Sequence, residues 1–222
     1  MDTEAFQLLG SVGVAWDKNG LERVDQLVSA VQAMTPVDHM GDITEAYGTV
    51  IRLNLLITSP DDDINFANAW IPAPAALAAM EKKYPSLQRI CAYDVTSVGA
   101  RVFLRLKRDD DAYELARLAV APEQGTLKKT TLVTCHSILG QIAAKRGEIE
   151  EADGHFARAL EEARLSRLPM LEVVAARDWR DHVLAPNGED CSAAEAVIDA
   201  ACVAMKKTRG QLGRVLAVLG GH

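Results

Sequence analysis

The stretch Leu132–Leu160, LVTCHSILGQIAAKRGEIEEADGHFARAL, decides the fold. It reads as two amphipathic helices joined at Gly147. Ala152, Phe156 and Ala159 fall at i, i+4 and i+7, so they share one helix face. Gly140 carries no side chain and permits a close crossing by the paired helix. Lys145-Arg146 directly before Gly147 is a stop signal, because cations suit the negative end of the helix dipole and glycine accepts the left-handed cap. A hairpin of this kind cannot bury its apolar face alone, so neighbouring units must stack on it.

Working outward, the same spacing returns. Moving back 40 residues places Ala112, Ala116 and Ala119 on Ala152, Phe156 and Ala159, and Gly99-Ala100 with Phe103 on Leu139-Gly140 with Ala143. Moving forward 42 places Ala194, Ile198 and Ala201 there. The period predicts helices over about 87–107, 109–121, 130–146, 148–167, 170–185, 192–207 and 210–219. Nearer the N-terminus, Leu21, Val24, Leu27, Val28 and Val31 form an apolar stripe behind the Asn19/Glu22 capping pair. Asp42/Glu45 precede a second stripe running to about Ile57. Pro60, Pro72, Pro74 and Pro85 each end one helix or open the next. The most strand-like stretch, Ile90–Val98, is compatible with the start of a helix. The expected fold is therefore all-α, stacked antiparallel helix hairpins forming an α-solenoid. Residues 1–86 are expected as an N-terminal helical section continuous with the array, and 87–222 as the repeats with a C-terminal capping helix.

The unit 132–160 resembles a tetratricopeptide repeat. Leu139-Gly140, Ala143, Gly147, Ala152, Phe156 and Ala159 match the family's spacing, while His136 stands at its fourth, aromatic position and Pro169 falls several residues late. The departure, with a period of 40 to 42, is similar to the long-helix variants of the family. The resemblance covers about residues 87–207. It implies a scaffold that binds a peptide or protein on the concave face lined by the first helix of each pair. Carried over by position, that face would hold Thr134, Ser137, Gln141 and Lys145, and Asp94, Ser97, Arg101 and Arg105 one unit earlier. Ser137 and Gln141 replace the family's clamp for a terminal carboxylate, so binding of chaperone tails is not implied. Arg101, Arg105 and Lys145 would make this face locally positive and suited to an acidic segment.

Composition narrows the class further. The 222 residues carry 24 Lys+Arg against 31 Asp+Glu, a net charge of −7, which argues against sequence-independent nucleic-acid binding. At 49% hydrophobic and 25% charged residues the chain is expected to fold rather than stay disordered. No apolar run is long enough to span a bilayer, and the first residues, MDTEAFQLLG, lack the pattern of a secretory leader. Cys91, Cys135, Cys191 and Cys202 are widely spaced without a CxxC pair, which fits reduced thiols in the cytoplasm or another reducing intracellular compartment.

No phosphate-loop, dinucleotide, zinc-protease or nucleophile-elbow string occurs, so a non-enzymatic role without a cofactor is expected. Asp178/His182 and Glu151/His155 stand at i and i+4, a metal-ligand spacing, but each pair lacks a third ligand nearby in sequence and reads as a polar helix face. Cys135 and His136 are adjacent on a helix and diverge by about 100°, which disfavours a nucleophile–base pair. The acidic runs Asp61–Asp63 and Asp109–Asp111 read as helix starts, not calcium loops. The alternative to a scaffold is an enzyme or small-molecule binder with a site near Asp178, Trp179 and His182. The apolar stripe Leu212, Val215, Leu216 and Leu219 offers a cap or a surface for self-association through the terminal helices.

Overall fold

The computed structural model describes residues 71–84, 95–121 and 129–211, with positions 26, 29, 45, 46, 48–50, 52, 53, 56 and 57. Every regular element among them is helical, so the protein is all-α. The expected stripe at 21–31 and its cap, the Asp61–Asp63 start, residues 85–94 with Asp94 and Cys91, His39, and the stripe beyond Gln211 lie outside the described residues. The chain divides into two compact units, Met1–Arg108 and Asp109–His222.

In the first unit, α1 spans Pro74–Lys83 and opens on its proline, where the missing N–H costs nothing. Helix α2, Val95–Arg105, packs against it. The buried carboxylate of Glu81 on α1 accepts hydrogen bonds from the Thr96 N–H at 3.0 Å and from the Thr96 hydroxyl, which satisfies orphan donors at the start of α2. Ala46, Val50, Leu53 and Ile57 are buried at helical spacing, as the second stripe predicts.

The second unit holds α3 (Asp109–Val120), α4 (Lys129–Lys145), α5 (Ile149–Ser166), α6 (Pro169–Trp179) and α7 (Ser192–Met205). Helices α4 and α5 form an antiparallel hairpin. Lys129 at the start of α4 pairs with Glu162 near the end of α5 at 2.5 Å, and His136 meets His155 midway. The turn closes as the stop signal demands. Gly147 takes φ +77°, the Glu148 N–H reaches the Ala143 carbonyl at 2.9 Å, and the Gly147 N–H reaches Ala144 at 3.0 Å. Phe156 is fully buried with Ala143, Ala152 and Val183, its ring over Gly140. A larger cluster joins Ala159, Leu160 and Ala163 of α5 to Val173 and Ala176 of α6 and Ala194, Ile198 and Ala201 of α7. The repeated apolar positions of α5 and α7 are thus core.

One expected helix is interrupted. The segment expected as a single helix over 170–185 is α6 followed by a π-helical turn at Arg180–Leu184, closed by the Ala185 N–H on the Arg180 carbonyl at 2.9 Å. Trp179 stands at the junction, packed against both clusters, with its indole N–H donated to Asp153 on α5 at 2.7 Å.

Candidate functional site

The residues singled out on the α4 face and those near α6 come together. Gln141 on α4 donates its amide to Asp178 on α6 at 3.1 Å. Asp178 is 8% exposed and also takes Arg177 at 3.3 Å. One turn further along α4, Lys145 donates to both carboxylate oxygens of Asp109 on α3, at 3.0 and 2.9 Å. Its neighbour Arg146 pairs with Asp110 at 3.0 Å and lies over the Tyr113 ring, 4.6 Å from the centroid. The acidic run does open α3, and it also faces the basic end of α4. Each helix end thereby carries the charge its dipole favours, and the two ends attract each other.

His182 on the π turn belongs to this group. Burial lowers its pKa from the ordinary 6.5; Asp178 and Asp181 oppose that shift, while Lys145 and Arg177 add to it. Its proton is therefore taken up more readily by the unfolded chain than by the folded one. The stability that His182 contributes is present above about pH 6.5 and lost as the pH falls through and below that value. We expect His182→Gln to flatten the decline in unfolding free energy between pH 7 and pH 5, measured by urea titration. Parallel profiles for the two proteins would remove His182 from the balance.

The other site residues divide. Ser137 is 3% exposed and its hydroxyl has no hydrogen-bond partner, so it faces the interior rather than a groove. Thr134 is half-buried on α4. Arg105 donates to the Leu56 and Ile57 carbonyls at 2.8 and 2.7 Å, which ties it to the backbone of its own unit. Ser97 is buried and Arg101 is half-buried on α2. Arg101 and Arg105 lie in the first unit and Lys145 in the second.

A pairing that sequence spacing did not reveal is His136 with His155. Their Nδ1 atoms lie 3.2 Å apart across the α4–α5 hairpin, with ring centroids at 5.5 Å and planes tilted by 36°. Burial, reinforced by the neighbouring His155, pushes His136 down to about 4, and burial also lowers His155, against the pull of Glu151. Both rings are therefore neutral at neutral pH. The signal that could have found them is the hairpin register, which sets the middle of α4 opposite the first half of α5. Cys135, its neighbour, points into the core and is fully buried.

Among the described residues, no group of three or more His, Cys, Asp and Glu side chains is arranged to hold a metal. No helix among them is long and apolar enough to cross a membrane. The class these observations define is an all-helical protein whose second unit is built on a helix hairpin with a polar face. No protein family, no curated protein and no solved structure matches the chain.

Proposed function

We infer that the chain is a non-enzymatic interaction module, a tetratricopeptide-like stack of helix hairpins that holds a peptide or protein partner on the face of its first helices. The observation that carries this reading is the polar surface assembled from α3, α4, α6 and the π turn. Asp109, Gln141, Lys145, Asp178 and His182 are drawn there from four elements of the second unit, α5 contributing none of them, and the Lys145 side chain keeps 45% of its surface in solvent. Surfaces that several packed helices contribute to are what helical arrays use for extended ligands. The repeat reading draws support from the helix stops. Left-handed caps with the same backbone closure stand at Lys107, Gly147 and Gly188, at intervals close to the sequence period, and further left-handed stops at Arg167 and Lys206 end the helices between and after them.

An acidic segment is the partner the repeat resemblance implies, and on this face its carboxylates would compete with Asp109 for Lys145. The test is binding of a glutamate-rich and a lysine-rich peptide to the full chain, with Lys145→Glu as the variant. The glutamate-rich peptide is expected to bind, more tightly at low salt, and Lys145→Glu to weaken it about two- to fivefold, the scale of one exposed ion pair. Equal binding of both peptides, or an unchanged variant, would reject the acidic partner and the groove with it.

The second reading, a small-molecule or catalytic site near Asp178, Trp179 and His182, rests on the π turn, a feature frequent at functional sites. Trp179 and Asp178 are engaged within the fold, by Asp153 and by Gln141 with Arg177. Loss of peptide binding on Lys145→Glu would favour the scaffold over this alternative.

A further inference from the structure

We propose that the His136–His155 contact is an acid-sensitive latch on the α4–α5 hairpin, which holds while the pair carries one added proton and releases when it takes the second. The contact joins two Nδ1 atoms at 3.2 Å, so one ring donates an N–H and the other offers its lone pair. In the neutral pair the donor ring therefore carries its proton on Nδ1 and the acceptor ring on Nε2. A first added proton goes to the free Nε2 of the donor, and the hydrogen bond survives as a charge-assisted one. A second has only the acceptor's Nδ1 left, the atom already in the contact. Two N–H groups would then face each other at 3.2 Å, on two cationic rings with centroids 5.5 Å apart. The hydrogen bond is replaced by repulsion, which separation of α4 from α5 at mid-hairpin relieves.

The surroundings set the order of the two protons. Glu151 Oε1 stands 3.7 Å from His155 Nε2, too far for a hydrogen bond but near enough to attract a positive charge there. His155 therefore takes the first proton on Nε2 and is the donor in the contact. His136 takes the second. Burial, then the charge on His155 and that of Arg158, hold His136 down at about 4 against the pull of Glu162. Glu162 and Arg158 are themselves engaged, by Lys129 at 2.5 Å and by Glu161 at 2.9 Å. The titratable groups of the other elements packed against α4 gather at its Gln141–Lys145 end. Asp109 and Asp110 of α3 stand on Lys145 and Arg146, and Asp178 of α6 is grouped with Asp181 and His182 of the π turn. Opening exposes both rings to water, where imidazole titrates near 6.5. The open hairpin thus binds protons that the closed one refuses. What the latch contributes to stability is whole above about pH 6.5, falls as the pH drops toward 4, and changes no further below that.

The experiment is a pH series on the full chain alone, with His136→Asn and His155→Asn as variants. Asparagine at 136 still offers an acceptor oxygen to the His155 N–H, and it does not titrate. Nitrogen-15 spectra of the histidine rings should show His155 titrating before His136, and His136 rising above about 4 in His155→Asn, where its charged neighbour is gone. In urea unfolding, the folded-to-unfolded ratio of the wild type should fall about tenfold further between pH 7 and pH 5 than that of His136→Asn. His182 titrates in both proteins and cancels in this comparison. At pH 5, amide hydrogen exchange midway along α4 and α5 should be faster in the wild type than in His136→Asn. If a variant fails to fold, the order of the two ring titrations in the wild type decides. Joint titration of both rings near 6.5, a His136 midpoint unmoved by His155→Asn, or parallel pH profiles for the wild type and His136→Asn would overturn the latch. The latch needs no partner, so its failure would leave the proposed function standing.

Discussion

Replacing Phe156 with alanine is expected to lower the unfolding free energy by about 3–5 kcal/mol, the range for deleting a fully buried phenylalanine. Phe156 is completely shielded and packs with Ala143, Ala152, Val183 and Trp179, drawn from α4, α5 and the region of the π turn. The small residues around it have no side chain with which to fill the space, so the cavity would stay open and the cost should fall in the upper part of the range. Urea unfolding monitored by the fluorescence of Trp179, with Trp16 and Trp70 replaced by phenylalanine, reads the change in the right unit. A loss below about 1 kcal/mol would mean that the ring is not the centre of the hairpin core.

Gly140→Ala is expected to destabilise the protein by about 1–3 kcal/mol, the usual cost of overpacking, although the same change in an open helix gains about 0.5–1 kcal/mol. The reversal comes from Phe156. A Cβ at position 140 would stand 2.8 Å from the ring Cε2 and 3.0 Å from Cδ2 and Cζ. The ring is enclosed on all sides and cannot swing away at low cost. In the Phe156→Leu background the penalty at 140 should shrink, so a double-mutant cycle should show coupling between the two positions. A stabilised Gly140→Ala protein, or additive effects, would show that the helices do not cross on this glycine.

The close crossing at Gly140 was legible in the sequence, and the structure shows that Phe156 is the side chain that meets it. Both stand in one 29-residue stretch, where a glycine at the right depth of one helix and an aromatic on the inner face of the next imply the close crossing. The helix stop at Gly147 and the helix-opening role of Asp109–Asp111 were legible for the same reason, since caps and dipoles depend on residues within a turn or two. The candidate site was legible only in halves. Gln141 and Lys145 were reached from the repeat spacing and Asp178 with His182 from helix spacing, and nothing in either spacing joins the two sets.

What the sequence by itself determined is the helical period, the core faces Ala152–Phe156–Ala159 and Ala194–Ile198–Ala201, and the turn at Gly147. These follow from interactions between residues a few positions apart, which a linear reading captures. Tertiary structure decided the rest. It placed Arg105 on the Leu56 and Ile57 carbonyls, Lys145 on Asp109, Ser137 in the interior, a π turn after Trp179, and His136 against His155. Each of these depends on which helix lies beside which and in what register. That choice is made by packing volumes summed over the whole core, and the hydrophobic attraction that drives it has no direction of its own.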